Sequence, residues 1–221
     1  ITAIPALLDK LALEGAIVTL DAMGTQKEIA RKIISKKADY VLALKGNQGT
    51  LKEDAALFFA DPVLAAECSF HEETTAAHGR IEQRTVRAAD AGWLAERHPG
   101  WKGLASIVAV TACRTIKKNK RTTTETRLYI SSLPPNPERL GAAVRAHWSI
   151  ENKLHWSLDV TFHEDACRIR KDHSAQNLAM IRRTVLNMLR RDNSKISLKR
   201  KRLKALMNKD YREKILKINL L

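Results

Sequence analysis

Apolar positions divide the first sixty residues into helices and short strands. Three segments carry apolar residues at helical spacing and are predicted to be helices: 2–14, 26–36 and 50–60. Two short apolar runs lie between them, AIVTL at 16–20 and DYVLALK at 39–45, and these predict buried strands. The intervening GNQG at 46–49 predicts a turn. Strand, helix and strand with short links predict a parallel α/β unit.

The middle of the chain changes to the alternating pattern of antiparallel strands. Residues 68–90 predict a hairpin that turns at His78-Gly79. Two further strands are predicted over 106–116 and 123–133, around the basic turn KKNKR. Residues 66–133 are therefore predicted to form a β-rich insertion.

Helical patterns return after LPPNPE, whose prolines cannot continue a strand. A long helix is predicted over 138–157 and another over 174–191. The last thirty residues are expected to be helical, basic and loosely packed.

Charge is concentrated at the C-terminal end. The net charge is +15, and residues 168–221 hold 17 Lys and Arg against 4 Asp and Glu. Such a basic end favours a polyanion partner, DNA or RNA, over a solvated tail that only maintains solubility. A hydrophobic content of 44% predicts a folded chain, and no apolar run reaches the roughly 20 residues that span a membrane. The three cysteines are read as reduced thiols of a cytoplasmic protein.

Two places could carry chemistry. Asp21 follows a buried strand, where open α/β sheets place functional residues, although a turn or helix-capping aspartate fits DAMGT equally well. On a continuous helix, His147, Glu151 and His155 share one stripe at four-residue spacing. Trp148 and Trp156 lie beside that stripe; packing against the core is the expected role, and base stacking is the alternative.

The stripe has more than one interpretation. A carboxylate among imidazoles and indoles favours a functional site over a solvated helix face, because Glu is rarely buried without a partner. Three such residues could also bind zinc, although their spacing differs from the usual two-histidine motif. Downstream, in LDVTFHEDACRIRK at 158–171, acidic residues are followed by basic residues. The segment is either a loop held by salt bridges or a support for a metal site and its phosphate substrate.

At these residues the chain resembles the ISAs-type branch of bacterial DDE insertion-sequence transposases. The resemblance covers nearly the whole length, and its specificity comes from several long motifs in the same order. They are VTLDAMGTQ (18–26), DYVLALKGNQ (39–48), HGRIEQR (78–84), YISSL (129–133), VRAHWSIENKLHWSLDVTFHEDACRIR (144–170) and LNMLRR (186–191).

The resemblance implies an α/β fold with a ribonuclease H-like core, truncated at its N-terminus here, a β-rich insertion and C-terminal helices. The chain then divides into four parts: a partial core (1–65), the insertion (66–133), core helices with the catalytic glutamate (134–191) and a basic helical tail (192–221). It also implies a triad of two aspartates and a glutamate. Asp21 matches the second aspartate and Glu151 the glutamate, and both would bind Mg²⁺ or Mn²⁺ in a two-metal site.

The larger group of transposases to which this branch is related often carries Tyr, Arg, Glu and Lys along the helix of the catalytic glutamate. Here Glu151 is kept, while Val144, His147 and Leu158 stand at the other three positions. Arg145, His147 or Lys153 would share the phosphate-binding role. The expected DNA-contacting residues are Lys45, Asn47, Gln48, Arg145, His147, Asn152, His155, Arg168, Arg170 and Lys171.

The expected partners are insertion-sequence ends and target DNA, bound by a homodimer, with no membrane. The first triad aspartate is expected on a strand before the opening helix, and the chain starts at Ile1 without one. We therefore expect a fragment or a truncated gene that is inactive alone. One rival function is a remnant that only binds DNA. Another is a small hydrolase or nucleotide-binding domain, disfavoured because no glycine-rich phosphate loop or nucleophile elbow occurs.

Overall fold

The structure, a computed structural model, describes residues 3–77 and 79–218, with backbone only at Glu151 and Asn152. Contacts divide the chain into two compact units, Ile1–His147 and Trp148–Leu221. No helix among the described residues has the length and apolarity to cross a membrane.

The first unit is built on one six-stranded sheet. Its strands are β1 (Ile17–Leu20), β2 (Asp39–Leu44), β3 (Ser69–Ala77), β4 (Arg80–Asp90), β5 (Ser106–Ile116) and β6 (Thr122–Ser131). Their spatial order is β1-β2-β6-β5-β4-β3. β1 and β2 are parallel and the other neighbours are antiparallel, which confirms the predicted α/β class. The strands of segment 66–133 join the sheet of β1 and β2, because β6 pairs with β2.

Helices cover both faces of this sheet. They are α1 (Ala3–Asp9), α2 (Lys27–Ser35), α3 (Gly49–Ala60), α4 (Pro62–Glu67), α5 (Gly92–Arg97) and α6 (Pro137–Ile150). Side chains of β2 alternate between the two cores: Leu42 packs with Ile29 and Ile33 of α2, and Val41 packs with Leu140 of α6. A strand buried on both faces explains the continuous apolar run DYVLAL.

The first helix is shorter than the predicted 2–14, because α1 ends at Asp9. Lys32 of α2 forms a 2.5 Å ion pair with the Asp9 carboxylate. Lys36 donates to the backbone carbonyls of Asp9 and Leu11 at 3.0 and 3.2 Å. These contacts satisfy carbonyl oxygens that a continuing helix would otherwise have used.

The second unit contains a π turn (Glu151–His155) and helices α7 (Trp156–Phe162), α8 (Ser174–Arg191), α9 (Leu198–Met207) and α10 (Lys209–Ile218). The long helix predicted over 138–157 is present: α6, the π turn and α7 follow one another without a break from Pro137 to Phe162. The expectation of a loosely packed tail is wrong: Tyr211 and Ile215 of α10 are buried with Leu189 of α8.

Candidate functional site

Asp21 lies directly after β1, at the carboxyl end of the strand, and its side chain is exposed. The amide of Gly24 donates to its Oδ1 at 3.4 Å, so the carboxylate also caps a turn. Buried Thr25 ties this turn to both strands, donating to the carbonyl of Asp21 at 3.1 Å and to that of Ala43 at 2.8 Å. Both sequence interpretations of Asp21 are therefore compatible with the structure: it is a turn residue and an exposed acid at the sheet's carboxyl edge.

Asn47 and Gln48 hold the loop that carries Asp21. Asn47 donates to the carbonyl of Ala22 at 2.7 Å. Gln48 donates to the carbonyls of Ala22 and Thr25, each at 3.1 Å, and its Oε1 accepts the Lys45 amide at 2.8 Å. Since these amide groups donate to protein carbonyls, their geometry favours positioning of the loop. Their contact with DNA stays a prediction.

A polar contact joins the C-terminal part of α6 to β1. Nδ1 of His147 lies 3.0 Å from Oγ1 of Thr19. Thr19 precedes Asp21 by two residues, and His147 precedes Glu151 by four. Closer to its start, α6 approaches the sheet at Gly141, where an added Cβ would lie 2.9 Å from Cγ2 of Val86. Nothing in the sequence pattern indicated that Thr19 would become the partner of His147.

The side chains of Glu151 and Asn152 lie outside the described residues, so their predicted roles stay predictions. Their backbone lies in the π turn. The predicted stripe of His147, Glu151 and His155 includes the Glu151 side chain, so it stays a prediction as well. The expected packing of Trp156 is wrong, because 62% of this residue is exposed. Single π turns often occur at functional sites.

Other predicted DNA contacts in the first unit have mixed surroundings. Lys45 is exposed just beyond β2. Arg145 forms a 2.8 Å ion pair with Glu73 of β3, and both side chains are about half exposed. The pKa of Glu125 on β6 is lowered, first by the hydrogen bond from Arg127 and to a smaller extent by the positive charges of Arg127, Arg114 and Lys45. An exposed ion pair of this kind contributes little stability, and the DNA contact of Arg145 stays a prediction.

In the second unit, the predicted DNA contacts His155, Arg168 and Lys171 are exposed. Arg170 folds back and donates to the carbonyls of Cys167 and Ile169 at 3.0 and 2.8 Å. The Leu158 position, where the larger group often has Lys, is fully buried here and supplies core packing.

A buried polar cluster in the tail escaped sequence reasoning. Asp192 is 3% exposed, and its carboxylate accepts hydrogen bonds from Ser194 and, at 2.7 Å, from the hydroxyl of Tyr211. Nζ of Lys201 and Nζ of Lys214 lie 3.7 and 3.6 Å from the carboxylate. The Ser194 hydrogen bond, followed by that of Tyr211 and the lysine charges, lowers the Asp192 pKa to about 2. An aspartate in a basic segment gives no sequence sign of such burial.

A divalent metal ion needs several oxygen, nitrogen or sulfur ligands close together. Among the described residues, no three His, Cys, Asp or Glu side chains assemble as a metal-binding group. Asp21 fits one position, because an exposed carboxylate is the hard oxygen ligand that Mg²⁺ prefers. Among the described side chains, the Asp21 carboxylate would therefore supply one ligand of a magnesium site, and they do not form a complete ligand set.

Comparison with known proteins identifies the family. Residues 1–188 match the Transposase DDE domain family. The chain is 38% identical to the H repeat-associated putative transposase YhhI of Escherichia coli K12, over 98% of this chain and 58% of that protein. It is 40% identical to the Putative transposase YncI of Escherichia coli O157:H7, over 98% of this chain and 56% of that protein.

The chain thus spans somewhat more than half the length of these relatives. The family match includes β1 with Asp21 and extends through most of α8. This chain belongs to the DDE transposase domain family.

Proposed function

We propose that this chain is the C-terminal part of an ISAs-type DDE transposase with a ribonuclease H-like core. The complete protein cleaves DNA at the ends of an insertion sequence and joins the freed 3′-hydroxyl to target DNA. The observation that carries the proposal is the family match over residues 1–188, which includes an exposed aspartate at the carboxyl end of a sheet strand. The parallel β1–α2–β2 unit supports the core assignment.

Asp21 and Glu151 are the proposed ligands of Mg²⁺ or Mn²⁺. The support for pairing them is the contact of His147 with Thr19, two residues before Asp21, and the position of Glu151 four residues after His147. When bound, two such ions activate the attacking oxygen and stabilise the leaving oxygen of a phosphodiester. The first aspartate of the triad belongs, in this proposal, to a preceding segment, and the chain alone is inactive.

The residues of this chain would then have two kinds of role. Thr25, Asn47 and Gln48 hold the Asp21 loop through hydrogen bonds of 2.7–3.1 Å. The exposed cations Lys45, Arg145, Arg168, Arg170 and Lys171, together with His147, Asn152 and His155, would hold the DNA backbone. Trp156, exposed by 62%, would stack on an unpaired base. The complete protein would act as a homodimer on DNA in the bacterial cytoplasm.

The test uses the complete protein and a duplex that carries one end of its insertion sequence. Asp21→Asn keeps an oxygen acceptor for the Gly24 amide but removes the charge that binds a cation. Loss of one ligand forfeits several kcal/mol of transition-state stabilisation, so we expect cutting with Mg²⁺ or Mn²⁺ to fall by at least about a thousandfold. Glu151→Gln should have the same effect.

Asp90→Asn is the matched control. Asp90 also ends a strand and caps a turn, accepting the Gly92 amide at 2.7 Å, and no catalytic role is proposed for it. This variant should cut normally. Cutting at the wild-type rate by Asp21→Asn or Glu151→Gln would reject the site. A complete protein that binds its element end and cuts with neither cation would instead support the DNA-binding remnant.

A further inference from the structure

Four strands of the sheet extend beyond its hydrophobic core as a ribbon. On β5 the last buried residue is Val110, and on β6 the first is Tyr129. Between them, the strands run on to Ile116 and Thr122, and every residue over 111–128 is exposed or only partly buried. Six residues from Val110 to Ile116 at about 3.3 Å each make an extension of roughly 20 Å.

The end of this ribbon is formed by two turns that are bonded to each other. The amide of Lys117 donates to the carbonyl of Gly79 at 2.9 Å and so joins the β5–β6 turn to the β3–β4 turn. The Ile116 amide donates to the Arg121 carbonyl at 2.9 Å, and the Asn119 side chain accepts the Arg121 amide at 3.1 Å. These hydrogen bonds link Lys117 to Gly79 and close the β5–β6 turn.

Five cations occupy these two turns, and we call them the basic tip: Arg80, Lys117, Lys118, Lys120 and Arg121. All five are exposed. Within the part of the chain that the structure describes, no hydrogen bond or ion pair holds any of their side chains. Like charges this close repel each other unless anions lie between them.

The nearest acids of the ribbon are already neutralised. Glu82 is paired with Arg84 and, at 3.6 Å, with Arg114. Glu125 is paired with Arg127 at 2.8 Å. The uncompensated positive charge is thus most concentrated at the basic tip, since these acids are already paired with cations of the ribbon.

The basic tip lies at the same end of the sheet as Asp21. Leu20 is level with Leu42, which pairs with Ile130, so Asp21 is level with Tyr129. From that level β6 runs seven residues to Thr122, roughly 23 Å. Three strand spacings, about 14 Å, separate β1 from β5. The basic tip is therefore roughly 27 Å from Asp21, the length of about eight base pairs.

We propose that the basic tip binds the phosphate backbone of duplex DNA about eight base pairs from the phosphate at Asp21. This inference rests on the proposed function for its substrate. It names a surface distinct from the strand ends around Asp21 and from the helical tail. A flank of bound duplex runs along the ribbon, and five cations neutralise successive phosphates at its far end. Salt weakens this contact, because binding releases the counterions of the phosphates.

The test compares two variants of the complete protein with equal net charge. The tip variant carries Gln at Arg80, Lys117, Lys118, Lys120 and Arg121. The control variant carries Gln at five exposed cations spread over the first unit, Lys10, Lys27, Arg87, Lys102 and Arg139. Fluorescence anisotropy gives the affinity for a 40-base-pair duplex bearing the element end, from 50 to 300 mM NaCl in EDTA.

Each lost phosphate contact lowers the magnitude of the salt slope by about 0.9, so the tip variant should lose about 4 to 5 units of slope and the control less than about 1. A second duplex ends four base pairs from the cut. On it, the tip variant and the control variant should bind alike. Thermal unfolding should be unchanged in the tip variant, since its substitutions are all exposed. The double variant Lys118→Gln with Lys120→Gln is a milder form of the tip variant, and its salt slope should fall by about 2 units.

Equal salt slopes for tip and control variants on the long duplex would overturn the basic tip as a DNA contact. A difference that persists on the short duplex would overturn its position. Both results are independent of cutting. A wild-type protein that never cuts but shows the tip-dependent slope would reject the proposed enzyme and keep the inference, whereas normal cutting with a tip-independent slope would reject the inference alone.

Discussion

Asp192 should stabilise the tail in a pH-dependent way. Its pKa is lowered from 3.8 to about 2 in the folded chain. A difference of nearly two pKa units corresponds to about 2 kcal/mol of stabilisation at neutral pH. Because the folded pKa is the lower one, this contribution is fully present above pH 3.8 and disappears as the pH falls through about 2.

The perturbation that isolates this contribution is Asp192→Asn. Asn keeps an oxygen for Ser194 and Tyr211 but leaves the buried ammonium of Lys201 without a counter-charge. Breaking a buried pair on one side costs about 3–5 kcal/mol, and the hydrogen bonds that Asn retains reduce this to roughly 2–3. We expect that loss at pH 7, and a loss smaller by about 2 kcal/mol at pH 2.

Native-state hydrogen exchange of the amides of Tyr211 and Ile215 would measure the opening free energy of the packed tail directly. Asp210→Asn is the matched control, because Asp210 is an exposed carboxylate on α10, the helix that carries Tyr211 and Ile215. Its effect should stay within about 0.5 kcal/mol. A difference between wild type and Asp192→Asn that is the same at pH 2 and pH 7 would show that the Asp192 charge does not stabilise the tail.

Two further changes test packing and charge. Gly141→Ala should destabilise the chain by about 1–2 kcal/mol in denaturant unfolding. The added methyl group overpacks against the stiff side chain of Val86, and this cost outweighs the gain of about 1 kcal/mol in helix propensity. A more stable variant would contradict the close approach of α6 to the sheet. The double variant Lys199→Gln with Arg200→Gln removes two exposed cations of α9, so it should lower the salt slope of DNA binding by about 2 and leave thermal stability unchanged. Lys201→Gln, at a buried position, should instead lower thermal stability. An unchanged salt slope in the double variant would argue against a DNA role for the tail.

The net charge of the tail was predictable from its sequence, but the partners of its cations were not. A net charge of +13 was assigned from sequence to residues 168–221 as a whole. In the structure, Lys201 and Lys214 serve the Asp192 carboxylate, and Arg202 donates to the Thr161 carbonyl and covers the Phe162 ring. Removing 192–221 would therefore also strip the packing from α8, so single substitutions test DNA binding more cleanly than truncation.

Strand and helix positions were predictable because they depend on local periodicity. The apolar runs around Val18 and Val41 and the alternation on either side of Gly79 appear as β1, β2 and the β3–β4 hairpin. Their pairing followed from chain order, since short links leave few topologies. The family, too, was readable from motifs, because the order of several long segments is preserved in the chain itself.

The amino-acid sequence by itself determined the α/β class, the strand that ends at Asp21 and the family to which the chain belongs. Only the tertiary structure decided that Thr19 contacts His147, that Asn47 and Gln48 hold the Asp21 loop, and that a π turn lies between α6 and α7. The physical reason is that periodicity reports which face of an element is buried. The partner of each polar side chain depends on contacts between residues far apart in the chain, and these form only when the sheet and its helices pack together.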